Sequence, residues 1–110
     1  MEIKITSEGD VTVIAIEGSL DTNTSKEAED QLNKQIGEGN VKLLIDLTNL
    51  DYISSSGLRI LLATSKKLKP LKGEMRICSL NETVSEVFEI SGFTMIFNVL
   101  NTIEEAKAGF

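Results

Sequence analysis

Ser54, Ser55 and Ser56 place three hydroxyls directly before Gly57 and an apolar run. Leu58, Leu61, Leu62 and Leu68 follow at helical spacing, so a helix begins near Ser56 and buries one face. A serine before such a run is a natural N-cap, because its oxygen accepts from first-turn N–H groups that lack an intrahelical partner. Three serines exceed what one cap requires, which leaves at least one hydroxyl facing solvent. A hydroxyl at a helix start is a good place for a phosphate, since the helix dipole and the unpaired amides favour an anion there.

Hydrolytic chemistry at these serines is excluded by what surrounds them. The chain has no histidine and one cysteine, Cys78. A Ser-His-Asp triad, a histidine phosphocarrier and the usual zinc sites are therefore out of reach. The serines lack the Gly-x-Ser-x-Gly frame of a nucleophile elbow, and a serine with no general base is a poor nucleophile. Neither an acid/base pair nor a cofactor loop can be assembled, so no enzyme activity, metal or cofactor is expected. Cys78 lies in an apolar, strand-like run and reads as a small buried hydrophobe.

The 110 residues make one ordinary domain, 1–110. Apolar residues at 41% and charged residues at 25% are near globular averages. The net charge of -6, from 11 basic and 17 acidic side chains, opposes direct binding to nucleic acid and suits a basic protein partner. No segment approaches the ~18 consecutive apolar residues of a membrane helix, and Met1-Glu2-Ile3-Lys4 has no signal-peptide core. The expected location is cytoplasmic, with no membrane association.

The elements that must position the serines follow from periodicity. Residues 1–6 and 11–16 read as two strands, joined through Ser7-Glu8-Gly9-Asp10 as an antiparallel hairpin. Gly18-Ser19-Leu20-Asp21 ends the second strand. Thr24 and Glu27 have capping-box spacing ahead of Ala28, Leu32 and Ile36, a helix stopped by Gly37-Glu38-Gly39-Asn40. Residues 41–47 form a central strand, and residues 48–53 a loop to the serines. Pro70 ends the serine helix near Leu68 or Lys69. A fourth strand over 74–79 precedes a third helix, for which Ser79 and Glu82 repeat the capping-box spacing and which Gly92 closes. Residues 93–100 read as a fifth strand, followed by a short helix from Asn101. This is an α/β fold with a mixed, mostly parallel five-stranded sheet and about four helices. Right-handed crossovers place the loops after the second, third and fourth strands along one edge, bringing residues 21–24 close to residues 54–57.

The pattern Leu50-Asp51-Tyr52-Ile53-Ser54-Ser55-Ser56-Gly57-Leu58, preceded by Leu43-Leu44-Ile45-Asp46-Leu47, resembles the signature of the STAS domain, the anti-sigma-factor antagonist family. Gly18-Ser19-Leu20-Asp21, Ser91-Gly92-Phe93 and the order of elements extend the resemblance over nearly the whole chain. The resemblance implies a STAS fold and a binding module switched by phosphorylation. Its unphosphorylated form would sequester an anti-sigma factor that is also a serine kinase, releasing a sigma factor, and a serine phosphatase would reset it. On these residues the phosphoacceptor falls on Ser55, and Asp21, Thr22, Asn23, Ser54, Ser56, Gly57 and Leu58 form the partner-binding surface. Ser54 and Ser19 stand where the phosphorylated antagonists carry acidic residues. Those departures leave an alternative open: a STAS-like nucleotide-binding or signalling-assembly module not regulated by serine phosphorylation. A receiver domain with phosphoacceptor Asp46 is disfavoured, because no acidic pair follows the first strand and no lysine ends the last.

Overall fold

Alternating and β-branched residues build the sheet, and helix-periodic apolar stripes cover it. The computed structural model describes residues 1–110. Its elements are β1 (Glu2–Glu8), β2 (Val11–Leu20), α1 (Ser25–Gly37), β3 (Lys42–Asp46), β4 (Leu50–Ile53), α2 (Ser55–Leu68), β5 (Glu74–Cys78), α3 (Glu82–Ile90), β6 (Asn98–Leu100) and α4 (Ile103–Lys107). The hairpin turns on Gly9-Asp10, with Glu8 opposite Val11. Gly9 sits at φ +63°, a conformation that costs glycine least.

The strand order is β1-β2-β3-β5-β6; β1 is antiparallel to β2 and the remaining pairings are parallel. One row, Ile5-Ile14-Ile45-Ile77-Val99, crosses all five strands in register. It faces α1, α2 and α3, which contribute Ala28, Leu32, Leu58, Leu61, Leu68, Val84 and Phe88 to the main core. Each such large apolar side chain, fully buried, stabilises the fold by about 1.5–3 kcal/mol. The opposite face carries Val11, Val13, Leu44 and Cys78, and Ala106 of α4 covers them. Cys78 is fully buried, as expected, and its burial pushes the thiol pKa up. Arg76 fastens α4 to the sheet by donating to the carbonyls of Ala106, Ala108 and Gly109, with its guanidinium 4.3 Å from the centre of the Phe110 ring.

The mixed, mostly parallel α/β sheet expected from sequence is present, but it has six strands because 50–53, read as a loop, forms β4. Three further local expectations differ. Thr24 is the N-cap residue of α1 but makes no side-chain cap; its hydroxyl donates to Ser19 O (2.8 Å) and accepts from Asp21 N (2.9 Å). The loop just before the helix has taken the oxygen that a capping box needs. At α3 the cap is Asn81 and not Ser79, which lies outside the helix at φ +66°. The fifth expected strand shrinks to Asn98–Leu100. Phe93–Met95 forms a 3₁₀ turn, and Phe97 N donates to Phe93 O, bringing the two rings to 5.5 Å and Phe97 to 6.1 Å from Phe88. Aromatic packing outweighs strand propensity there.

Asn81 joins α3 to β4. Its Oδ1 accepts from Val84 N at 2.7 Å and its Nδ2 donates to Leu50 O at 2.8 Å. Asn81→Ala is expected to cost about 1–2 kcal/mol, lowering the melting temperature by about 5 °C or more. Asn81→Asp keeps the cap acceptor but turns a carboxylate oxygen toward Leu50 O in place of the donor, so it should recover less than half of that. Thermal melts in which alanine is neutral would contradict the linkage.

Candidate functional site

Leu20 and Ile53 end their strands side by side, and this pairing creates the site. β4 runs parallel to the far end of β2, with Gly18 opposite Leu50, Ser19 opposite Tyr52 and Leu20 opposite Ile53. β2 pairs with β3 as far as Ala15 and with β4 from Gly18 onward, and the β4 register shifts between Gly18 and Ser19. One more ladder bond, Ser54 N to Leu20 O at 2.9 Å, carries the pairing to the start of α2. The chain therefore leaves β2 into Asp21-Thr22-Asn23 directly beside the point where it leaves β4 into Ser54-Ser55-Ser56. The adjacency expected from topology is observed: Thr22 Oγ1 and Ser56 Oγ lie 3.4 Å apart.

The three hydroxyls have different environments. Ser54 is the N-cap of α2, extended at φ -96° and ψ 174°, and its Oγ accepts from Gly57 N at 3.3 Å. Ser56 is half-buried and faces Thr22. Ser55 occupies the first helical position, is exposed, and its hydroxyl makes no hydrogen bond within the protein. The first turn of α2 contains no acidic residue, so no carboxylate of that turn offsets the helix dipole.

The neighbouring loop is tied together by its own hydrogen bonds. Asp21 Oδ1 accepts from Asn23 N (2.9 Å) and Thr24 N (3.2 Å). The carboxylate of Asp21 thus shapes the loop, while Thr22 and Asn23 are exposed at its tip. Two residues expected on the partner surface are not on it. Leu58 is 3% exposed and belongs to the core, because its helical position points it at the sheet. Gly57 is also buried and packs against Leu20 and Ile53. Sequence reasoning missed two exposed neighbours, Tyr52 and Arg59. Tyr52 is 47% exposed although aromatic. The buried Leu50 and Ile53 that flank Asp51 and Tyr52 were the available signal for an outward-facing pair.

Alternative chemistries find no support in the geometry. No group of three or more Cys, Asp or Glu side chains converges to hold a metal ion. Asp46, the acceptor a receiver domain would use, accepts from Thr48 N at 3.0 Å and from the Thr48 hydroxyl. The cavity of about 200 Å³ lies at the other end of α2, lined by Ser65, Leu68, Lys69, Met75, Ile96 and Phe97 among others. It cannot hold a nucleotide against the serines. No helix is long and apolar enough to cross a membrane.

Comparison with known proteins gives concordant results. The family profile described as STAS domain matches residues 2–106. A Bordetella bronchiseptica protein named as a candidate anti-sigma factor antagonist, BtrV, is 41% identical over 98 residues, which span 89% of this chain and 84% of that protein. The crystal structure of a candidate anti-sigma factor antagonist from Thermotoga maritima superposes with a TM-score of 0.90 at 20% identity, covering 94% of this chain and 90% of that one. The Bacillus cell fate determinant SpoIIAA in its phosphorylated form superposes with a TM-score of 0.73 at 21% identity, covering 96% of each chain. The last two likenesses establish the fold.

Proposed function

Since the chain belongs to the STAS domain family, we propose that it is an anti-sigma-factor antagonist whose docking is switched at Ser55. The unphosphorylated protein binds an anti-sigma factor and thereby frees a sigma factor. The anti-sigma factor acts as the serine kinase. In that step Ser55 Oγ attacks the γ-phosphorus of ATP, the bond to ADP breaks, and the hydroxyl proton passes to a base on the kinase. A serine phosphatase hydrolyses the ester and restores the hydroxyl. The protein itself performs no catalysis; it presents a hydroxyl and a surface, and both partners act in the cytoplasm.

The observation that carries this reading is the division of labour among the serines. Ser54 caps and Ser56 meets Thr22, so Ser55 alone offers an unengaged hydroxyl at the helix start. A phosphate there adds about -1.5 to -2 charge. The helix dipole tolerates that charge, so the fold persists while a docked surface is repelled. Thr22, Asn23, Ser56 and Tyr52 supply the contact surface around it, and Asp21, Ser54 and Gly57 hold that surface in shape. Direct contact with nucleic acid has no place in this scheme, in keeping with the net charge of -6.

The test is to incubate the protein with candidate anti-sigma kinases and ATP and to locate any phosphate by mass spectrometry. Modification confined to Ser55 supports the reading. Modification at Ser54 or Ser56, or complex formation indifferent to modification, overturns it.

A further inference from the structure

Arg59 is the cation of α2 nearest in the chain to Ser55. It lies one helical turn beyond Ser55, at i+4 on the same face of α2, and both residues are exposed. The ion pairs of the protein engage Lys4, Lys26, Lys42, Arg76 and Lys107, and Arg59 takes part in none of them. Long side chains in a helix lean toward its N-terminus, over the preceding turn. For Arg59 the preceding turn begins with Ser55 and Ser56. An anion N-terminal to a cation at this spacing is the favourable orientation.

We propose that Arg59 is the intramolecular receptor for the phosphate on Ser55, an inference that rests on the reading of Ser55 as phosphoacceptor. The guanidinium fork matches phosphate oxygens, and the free amides at the start of α2 hold the other side of the group. Modification then changes the docking face twice: it adds a dianion and it withdraws an arginine. In the unmodified protein that arginine is free to meet a carboxylate of the partner; in the modified protein it is held by the phosphate. On α1, which packs against α2, the one cation near the loop, Lys26, is paired with Glu29 and Asp30, and α3, packed against β4, carries only acidic groups. The loop after β2 and β4 itself carry Asp21 and Asp51. Both are acidic and oppose the dianion, and Asp21 is engaged by its own loop. Arg59 is accordingly the group that can lower the second pKa of the phosphate.

The test needs no kinase, so its outcome is separable from that of the function proposed above. Phosphoserine is placed at position 55 of the full chain during translation, and its ³¹P resonance is titrated. The second phosphate pKa should be lower with Arg59 than in Arg59→Gln by about half a pH unit. Arg59→Lys, which keeps the charge but not the fork, should fall between them. Lys66→Gln removes the same charge about 16 Å along the helix, beyond the screening length, and should leave the titration where it was. Equal titration of the wild type and Arg59→Gln, or an equal shift from Lys66→Gln, overturns the proposal. A kinase that ignores Ser55 would instead sink the phosphoacceptor reading and leave this measurement intact.

Discussion

Ser55→Asp loses affinity for the cognate anti-sigma factor while gaining a little thermal stability; these opposite signs mark a switch residue. The carboxylate sits at the first position of α2, whose first turn has no acidic residue, so it improves the interaction with the helix dipole by about 0.3–1 kcal/mol. The same carboxylate on the docking face meets a surface built for a neutral hydroxyl. A loss of about tenfold, or 1.4 kcal/mol, is expected for the single charge, and about a hundredfold for the phosphate itself. Ser55→Ala separates the two effects. It abolishes phosphate incorporation and keeps the complex within a few fold, and because Ser55 is exposed and not the cap, stability changes by no more than about 0.5 kcal/mol. Ser54→Ala should behave in reverse, losing about 1 kcal/mol of stability with the cap while retaining phosphorylation. Calorimetric titration with the partner and thermal melts measure each quantity. If Ser55→Asp bound as tightly as the wild type, or if alanine at 55 unfolded the protein, the assignment of roles among the three serines would be wrong.

The legible part of this site was the part written in local grammar. Ser54, Ser55 and Ser56 announce a helix start through capping rules that need no tertiary information, and the helix begins at Ser55. Leu58 was also locally legible, since it shares the apolar stripe of Leu61 and Leu68; assigning it to the partner surface set family resemblance above periodicity, and its burial reverses that. β4 was hidden for a different reason. Its burial pattern runs buried, exposed, exposed, buried, which matches no two-residue alternation over four residues. It is a strand because β2 outruns β3 and offers its last residues after a register shift, a circumstance decided by distant chain. Spacing alone also misplaced the caps at Thr24 and Ser79. Capping-box spacing occurs at both, yet one hydroxyl is claimed by Ser19 O and the other residue lies outside the helix. Arg59 required no structure to locate, only the question of which cation lies one turn from the acceptor.

Gly57→Ala tests whether fold and switch share one close contact. A Cβ at this position would stand 2.8 Å from Leu20 Cγ, 2.8 Å from Leu20 O and 2.9 Å from Ile53 Cγ1. Side chains can give way, but Leu20 O is backbone and is already the acceptor for Ser54 N. The first turn of α2 must therefore lift from the junction of β2 and β4, straining the bond that ends the ladder and the Ser54 cap. Helix propensity alone favours alanine over glycine by up to about 1 kcal/mol, less in a first turn. Overpacking against backbone outweighs it, for a net loss of about 2–3 kcal/mol and a melting temperature lower by about 10 °C. Ser55 rides on the displaced turn, so phosphate incorporation should fall together with stability. Gly92 serves as the control. Its φ of +74° penalises alanine, but nothing lies within 4 Å of the added carbon, so the cost should stay near 1 kcal/mol and labelling should be unaffected. Combining Gly57→Ala with Leu20→Ala should restore part of the coupling and not all of it, because the Leu20 carbonyl remains in place. A stabilised Gly57→Ala protein with normal labelling would show that propensity dominates and that the helix start does not depend on this contact.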